Sequence, residues 1–276
     1  MGNDFGDPEG GAPVRALLAT LAFLGTPSAS VTATTLALVT PAWAQSQPEV
    51  NNGTNPTVLA TSAGIQYKYT DFGSGLSNGL FEANVGVPFG QGKNKSLSLT
   101  VPYASGPIDD SFGLGDVSLT FTHVLDVNAS RGYAYTAKLK FDTADRPDLG
   151  SGQTVLELSG FYAKFLRDGS IIAPALVQTI GLGDEDPGRS KINTTTFDFY
   201  YVPKLSTDKI FITFDPALIY DWEQDKGYAS LTTTFGFPTG KAFGGDSQIF
   251  IKPQILAGAN RPADWSLQVG YKVIGF

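Results

Sequence analysis

From Leu59 to Phe276 the chain returns again and again to one pattern. Segments of roughly ten residues alternate apolar and polar side chains, and each is followed by a turn. Leu97-Ser98-Leu99-Thr100-Val101 is one instance, and Tyr133-Ala134-Tyr135-Thr136-Ala137-Lys138-Leu139-Lys140-Phe141 is another. In a strand, alternation sends successive side chains to opposite faces. One face here is Leu, Val, Phe and Tyr. The other carries Glu82, Lys138 and Lys140, charges that the core of a sandwich does not accept. A sheet with one apolar and one wet face, repeated until it closes on itself, predicts an all-β fold: a transmembrane antiparallel up-and-down β-barrel.

Twelve strands are expected, near 58–69, 80–89, 95–103, 115–125, 132–142, 153–166, 170–181, 191–203, 209–220, 227–237, 247–257 and 264–276. Most match the roughly 9–11 residues that cross a bilayer at a tilt, plus projecting ends. The seventh is the weak one. Ile171 to Val177 does not alternate and Pro174 has no N–H for the ladder, so ten strands is the alternative. The connections 70–79, 104–113, 143–152, 182–190 and 221–226 read as longer and acidic, whereas 90–94, 126–131, 167–169 and 204–208 read as short or basic. Only 238–246 is too long for this rhythm. Long loops outside and short turns in the periplasm are the habit of outer-membrane barrels, and an even strand count leaves both termini in the periplasm.

Aromatic placement agrees. Tyr67, Tyr69, Tyr103, Phe141, Tyr220, Tyr228 and Trp265 fall toward one interface, and Phe89, Tyr133, Phe165, Tyr201, Phe235, Phe237 and Phe276 toward the other. A soluble sandwich would gather its rings toward strand middles.

Residues 1–44 read as an export signal: Arg15, an apolar run from Ala16 to Leu24, and the small-x-small site Ala42-Trp43-Ala44, with cleavage after about Ala44. The acidic Asp4, Asp7 and Glu9 precede it where positive charge belongs, so translation is expected to start near Val14. Residues 45–57 form a polar periplasmic segment, able to enter the barrel as a plug, and 58–276 form the barrel. There is no cysteine, so thiol chemistry, Cys-based metal sites and disulfides are excluded. A net charge of −7 argues against a nucleic-acid partner.

The stretch Leu97 to Tyr103, with Pro102-Tyr103 at its end, is followed by a loop and then by Gly113-Leu114-Gly115-Asp116 opening the next strand. This resembles the MetA-pathway of phenol degradation family of outer-membrane barrels, whose motif is Leu-Pro-Tyr, a loop and Gly-Leu-Gly-Asp. Val101 stands in place of the family's Leu. The resemblance implies an outer-membrane protein passing small, often aromatic or hydrophobic, compounds. The expected partners are outer-membrane lipid and lipopolysaccharide, the barrel-assembly machinery and a small-molecule solute. On physical grounds Gly113 and Gly115 suit a tight, positive-φ entry to the strand. Asp116 would then face the lumen, and no helix follows to make a phosphate site.

By parity the lumen is lined by Lys68, Glu82, Asp116, Lys138, Lys140, Asp198, Asp215 and Lys252, with Gln66, Asn84, Thr213, Ser230, Thr232 and Gln254 among them. Such residues either line a narrow polar pore or seal the barrel through internal ion pairs. A passive channel is the reading preferred here; a sealed structural or adhesive barrel, or a lipid hydrolase, are the alternatives. His123 is the single histidine and shares the apolar face with Phe121, away from Ser118 and Thr122, so no catalytic constellation is expected. The acidic loops (Asp109-Asp110, Asp145 with Asp148, Asp184-Glu185-Asp186, Asp221 with Glu223 and Asp225) lack the spacing of a calcium loop. No cofactor or metal is expected. The segment Trp265 to Phe276 resembles the final strand read by the barrel-assembly machinery, which favours a terminal Phe. Ile274 and Phe276 are out of step with Trp265 to Val273, which predicts a bulge near Gly275.

Overall fold

The structure, a computed structural model, describes residues 53–107 and 110–276. The expected export segment and its cleavage site, the first part of the polar stretch, and Asp109 lie outside the described residues. The strands are β1 (Ser62–Gly73), β2 (Leu76–Phe89), β3 (Lys95–Ser105), β4 (Phe112–Leu114), β5 (Ser118–Val127), β6 (Arg131–Lys140), β7 (Thr154–Phe165), β8 (Ile171–Leu182), β9 (Asn193–Val202), β10 (Phe211–Asp221), β11 (Lys226–Ala242), β12 (Gly245–Ala257) and β13 (Trp265–Ile274). Consecutive strands pair antiparallel, and β1 pairs with both β2 and β13, so the sheet has no free edge. Both β4 and β5 pair with β3, Tyr103 opposite Leu114 and Thr100 opposite Ser118. They are two pieces of one stave interrupted at 115–117, so the barrel is a closed antiparallel ring of twelve.

Alternation sorts the faces. Ile65, Leu218 and Leu176 point outward with 65%, 63% and 58% of their surface exposed, among many other large apolar side chains. On the other face Thr213, Thr234 and Ser266 are buried inside. In water such a wall would far exceed the few hundred Å² of apolar patch that soluble monomers carry. Hydrocarbon removes that cost.

The seventh expected strand exists, as β8. Its ladder to β7 lapses between the pairs Phe161–Ala175 and Lys164–Ile172, where Pro174 cannot donate. It fails to alternate because its inward residues at that end are apolar as well. Ile171 and Ala173 cluster with Ala163 and Val202 against Phe165 and Tyr200. Phe165 therefore packs inward rather than at an interface, and Tyr228 lines the interior as well.

Three expectations about connections are corrected. The supposed long loop 70–79 is a hairpin closed by Ser74 and Gly75, with φ of 55° and 80°. Segment 238–246 is likewise strand extended to a turn at Phe243 and Gly244, with φ of 52° and 86°. Two consecutive positive φ values are the geometry that follows the natural strand twist. No bulge interrupts β13: its register against β1 and β12 runs unbroken to Ile274, which is buried inside. Gly275, with φ of 78°, re-aims the chain so that Phe276 emerges exposed. The first strand starts at Ser62, four residues after the expected 58, because the preceding residues turn into the barrel mouth.

Candidate functional site

Described residues line two chambers in the interior. One, of about 510 Å³, lies toward the end that carries the loops after β6, β8 and β12; Lys68, Asp198, Asp215 and Gln254 line it beside Phe72, Leu80, Ile219, Tyr228 and Leu256. The other, of about 210 Å³, lies toward the end where Ser62 and Ile274 pair; Gln66, Asn84, Lys252 and Lys272 line it. Asp215 and Thr232 border both, so the chambers meet at that level.

At this junction Gln66 donates a hydrogen bond to Glu82 across the β1–β2 pair. Glu82 also attracts Lys68 and Lys252. The carboxyl groups of Asp198 and Asp215 come together on β9 and β10. Lys252 Nζ lies 5.0 Å from the ring centre of Phe250. Five of the eight charged lumen residues named from sequence, Lys68, Glu82, Asp198, Asp215 and Lys252, thus form one cluster. Lys138 and Lys140 stand apart on β6, 4.0 Å from Glu157 and 3.9 Å from Asp116 respectively. Glu157 is legible in the sequence as a lumen residue, since it alternates between Leu156 and Leu158 on β7.

Asp116 does not line an open lumen. It sits in the break between β4 and β5, 6% exposed, and its carboxylate accepts hydrogen bonds from the loop after β6. The donors are Thr143 N at 3.2 Å, Ala144 N at 3.3 Å, and Ser151 N and Oγ at 2.6 Å each. The glycines beside it have no positive φ; they are needed for close approach. A Cβ on Gly113 would lie 2.7 Å from Leu149 Cδ1, and one on Gly115 3.1 Å from Pro102 Cγ. Gly115 N donates to Pro102 O at 3.1 Å, and Leu114 N to Asp145 Oδ2 at 2.7 Å. Pro102, Gly113, Leu114, Gly115 and Asp116 therefore form a clamp holding residues 141–153 over the wall. Tyr103 faces outward and stacks on Phe112 at 5.6 Å.

The chamber near the terminal end is narrowed in two ways. Phe211 and Phe250, 8% and 6% exposed, lie inward over glycines of the neighbouring strands. Across the mouth runs the described part of the polar segment, Gly53 to Thr57. Gly53 lies against Ile274 and Lys272 of β13, and Thr57 against Gly132 of β6, on the far side of the ring. Asn55 Oδ1 accepts from Thr57 N at 3.0 Å and Thr57 Oγ1 at 2.7 Å, fixing a turn there.

His123 faces outward beside Tyr135, with ring centres 5.5 Å apart. Its Nε2 is 3.3 Å from Asn94 Nδ2 and its Nδ1 3.4 Å from Tyr135 Oη, so it meets an amide and a phenol. Among the described residues no group of three or more His, Cys, Asp or Glu is placed to hold a metal ion.

No family model matches the chain, and no curated protein matches it either. Solved structures do. The COG4313 outer membrane channel from Pseudomonas putida F1 is similar with a TM-score of 0.62 at 14% identity, covering 82% of this chain and 100% of that one. The KdgM porin gives 0.54 at 10% identity over 77% and 98%, and the NanC porin 0.53 at 11% over 78% and 99%. At these identities the likeness shows the fold, that of outer-membrane barrels.

Proposed function

We propose that this chain is an outer-membrane barrel working as a passive channel for small molecules. The observation that carries this is the pair of abutting chambers lined by ionisable and polar side chains inside a wall whose other face is apolar. In this reading the loops after β6, β8 and β12 face outside, the termini face the periplasm, and the chain is exported by its N-terminal segment and inserted by the barrel-assembly machinery. Lipid and lipopolysaccharide surround the wall. Membership of the MetA-pathway of phenol degradation family, and with it a preference for aromatic or hydrophobic solutes, belongs to the same proposal. The clamp built by Pro102, Gly113, Gly115 and Asp116 supports it. So does the outward position of His123, which is out of line with catalysis.

Single-channel recording of the refolded chain, paired with liposome swelling, tests the reading. Discrete conductance and uptake of one-ring solutes are expected; a silent bilayer and unswollen liposomes reject it. One observation favours the second reading, a sealed barrel: Gly53 to Thr57, Phe211 and Phe250 occupy the terminal mouth.

A further inference from the structure

The larger chamber is built for more than passage. Its upper wall is a collar of Phe72, Leu80, Ile219, Tyr228 and Leu256, all turned inward against the habit of a water-filled pore. Its volume of about 510 Å³ is ample for an aromatic ring, since an apolar cavity of about 150 Å³ suffices for benzene. Ligand pockets combine such apolar walls with a few converging polar atoms.

Those atoms are at hand. The Oδ1 atoms of Asn78, Asp198 and Asp215 are buried, and among the described residues none has a hydrogen-bond donor. All three residues line this chamber. Leaving a buried acceptor unpaired costs about 1–3 kcal/mol, more where it is charged. Lys68 is drawn to Glu82 and Lys252 to Asp215 and Glu82, while the carboxyl group of Asp198 meets that of Asp215. The Lys252 ammonium itself lies on the other chamber's side, over Phe250. Lys272 sits lower, beside Gly53. The wall below the collar thus carries the unpaired Oδ1 atoms of Asn78, Asp198 and Asp215.

Resting on the channel reading, we propose that this chamber is a binding site for a compact organic cation. Its apolar body, about one ring in size, sits in the collar, and its ammonium group donates to Asp198 and Asp215.

The test measures binding without conductance. The refolded full chain in detergent is titrated by saturation-transfer NMR with benzylammonium, benzyl alcohol, benzoate and benzyltrimethylammonium, beside the Asp198→Asn and Asp215→Asn variants. Benzylammonium is expected to bind at least about tenfold more tightly than the others, and each Asn variant to lose about tenfold for it alone, as for a charge-assisted hydrogen bond. Leu80→Ser should weaken benzylammonium and benzyl alcohol together. Equal binding to wild type and Asn variants, which is the signature of micelle partition, overturns the proposal; so does benzoate binding as tightly. If neither Asn variant refolds, the wild-type comparison decides: benzyltrimethylammonium, which has no N–H, must bind more weakly. Selective binding without ion current would overturn the channel reading alone, and current without ammonium selectivity the chamber alone.

Discussion

Phe211 of β10 lies flat over Gly236 of β11, so close that a Cβ built on the glycine would stand 1.9 Å from its Cζ. The relation repeats two strands further around the ring, where Phe250 of β12 covers Gly270 of β13 at 2.4 Å. A glycine in a strand is a weakness unless something fills the missing volume, and here a neighbour's ring fills it. Gly236→Ala should therefore destabilise the barrel by about 1–3 kcal/mol through overpacking, read as a lower unfolding midpoint in detergent. Adding Phe211→Ala should restore part of the loss, because the clash has gone. A Gly236→Ala barrel as stable as wild type would show that the ring moves aside freely.

The carboxylate of Asp116 collects donors from Thr143, Ala144 and Ser151. Asp116→Ala leaves those backbone N–H groups unpaired, at about 1–3 kcal/mol for each that stays buried. The loop 141–153 should exchange its amide hydrogens and yield to protease far faster, while the heat-shifted gel mobility of the barrel stays. Unchanged protection at Thr143 and Ala144 would show that the clamp does not depend on this residue.

Gly53 to Thr57 bridge β13 and β6 across the terminal mouth. Deleting residues 45–57 should raise single-channel conductance several-fold, as the narrowest section loses its crossing chain. The same conductance with and without the segment would leave Phe211 and Phe250 as the restriction, which Phe250→Ala then tests.

At the opposite end, Asp145, Asp148, Asp184, Glu185, Asp186, Asp221 and Glu223 outnumber the nearby Arg146, Arg189 and Lys191. A rim of this sign concentrates cations and repels anions. Reversal potentials under a salt gradient should show cation preference at 0.1 M salt, fading toward 1 M as the screening length falls from about 10 Å to about 3 Å. Anion preference at low salt would contradict this.

His123 meets Tyr135 and Asn94 on the outer face. His123→Ala should cost no more than about 1 kcal/mol, the scale of one aromatic pair. Conductance should stay as in wild type. Loss of a phospholipid-hydrolysing activity on this substitution would restore the enzyme reading.

What the residues determined on their own is the architecture. Alternation at period two decides the face of every strand residue locally, so the closed apolar wall around a charged interior followed from segments such as Leu97 to Val101 and Tyr133 to Phe141. β8 hides its alternation, because its inward residues at one end are apolar as well. Only the tertiary structure decided which inward groups meet. Asp198 finds Asp215, Phe211 finds Gly236, and Thr57 finds Gly132 through register and through the circumference of the ring, neither of which is written within any one strand. The clamp at Asp116 shows the difference most plainly. Its motif was visible, but its partners come from a loop some thirty residues away, and close packing rather than a left-handed backbone is the reason its glycines have no side chain.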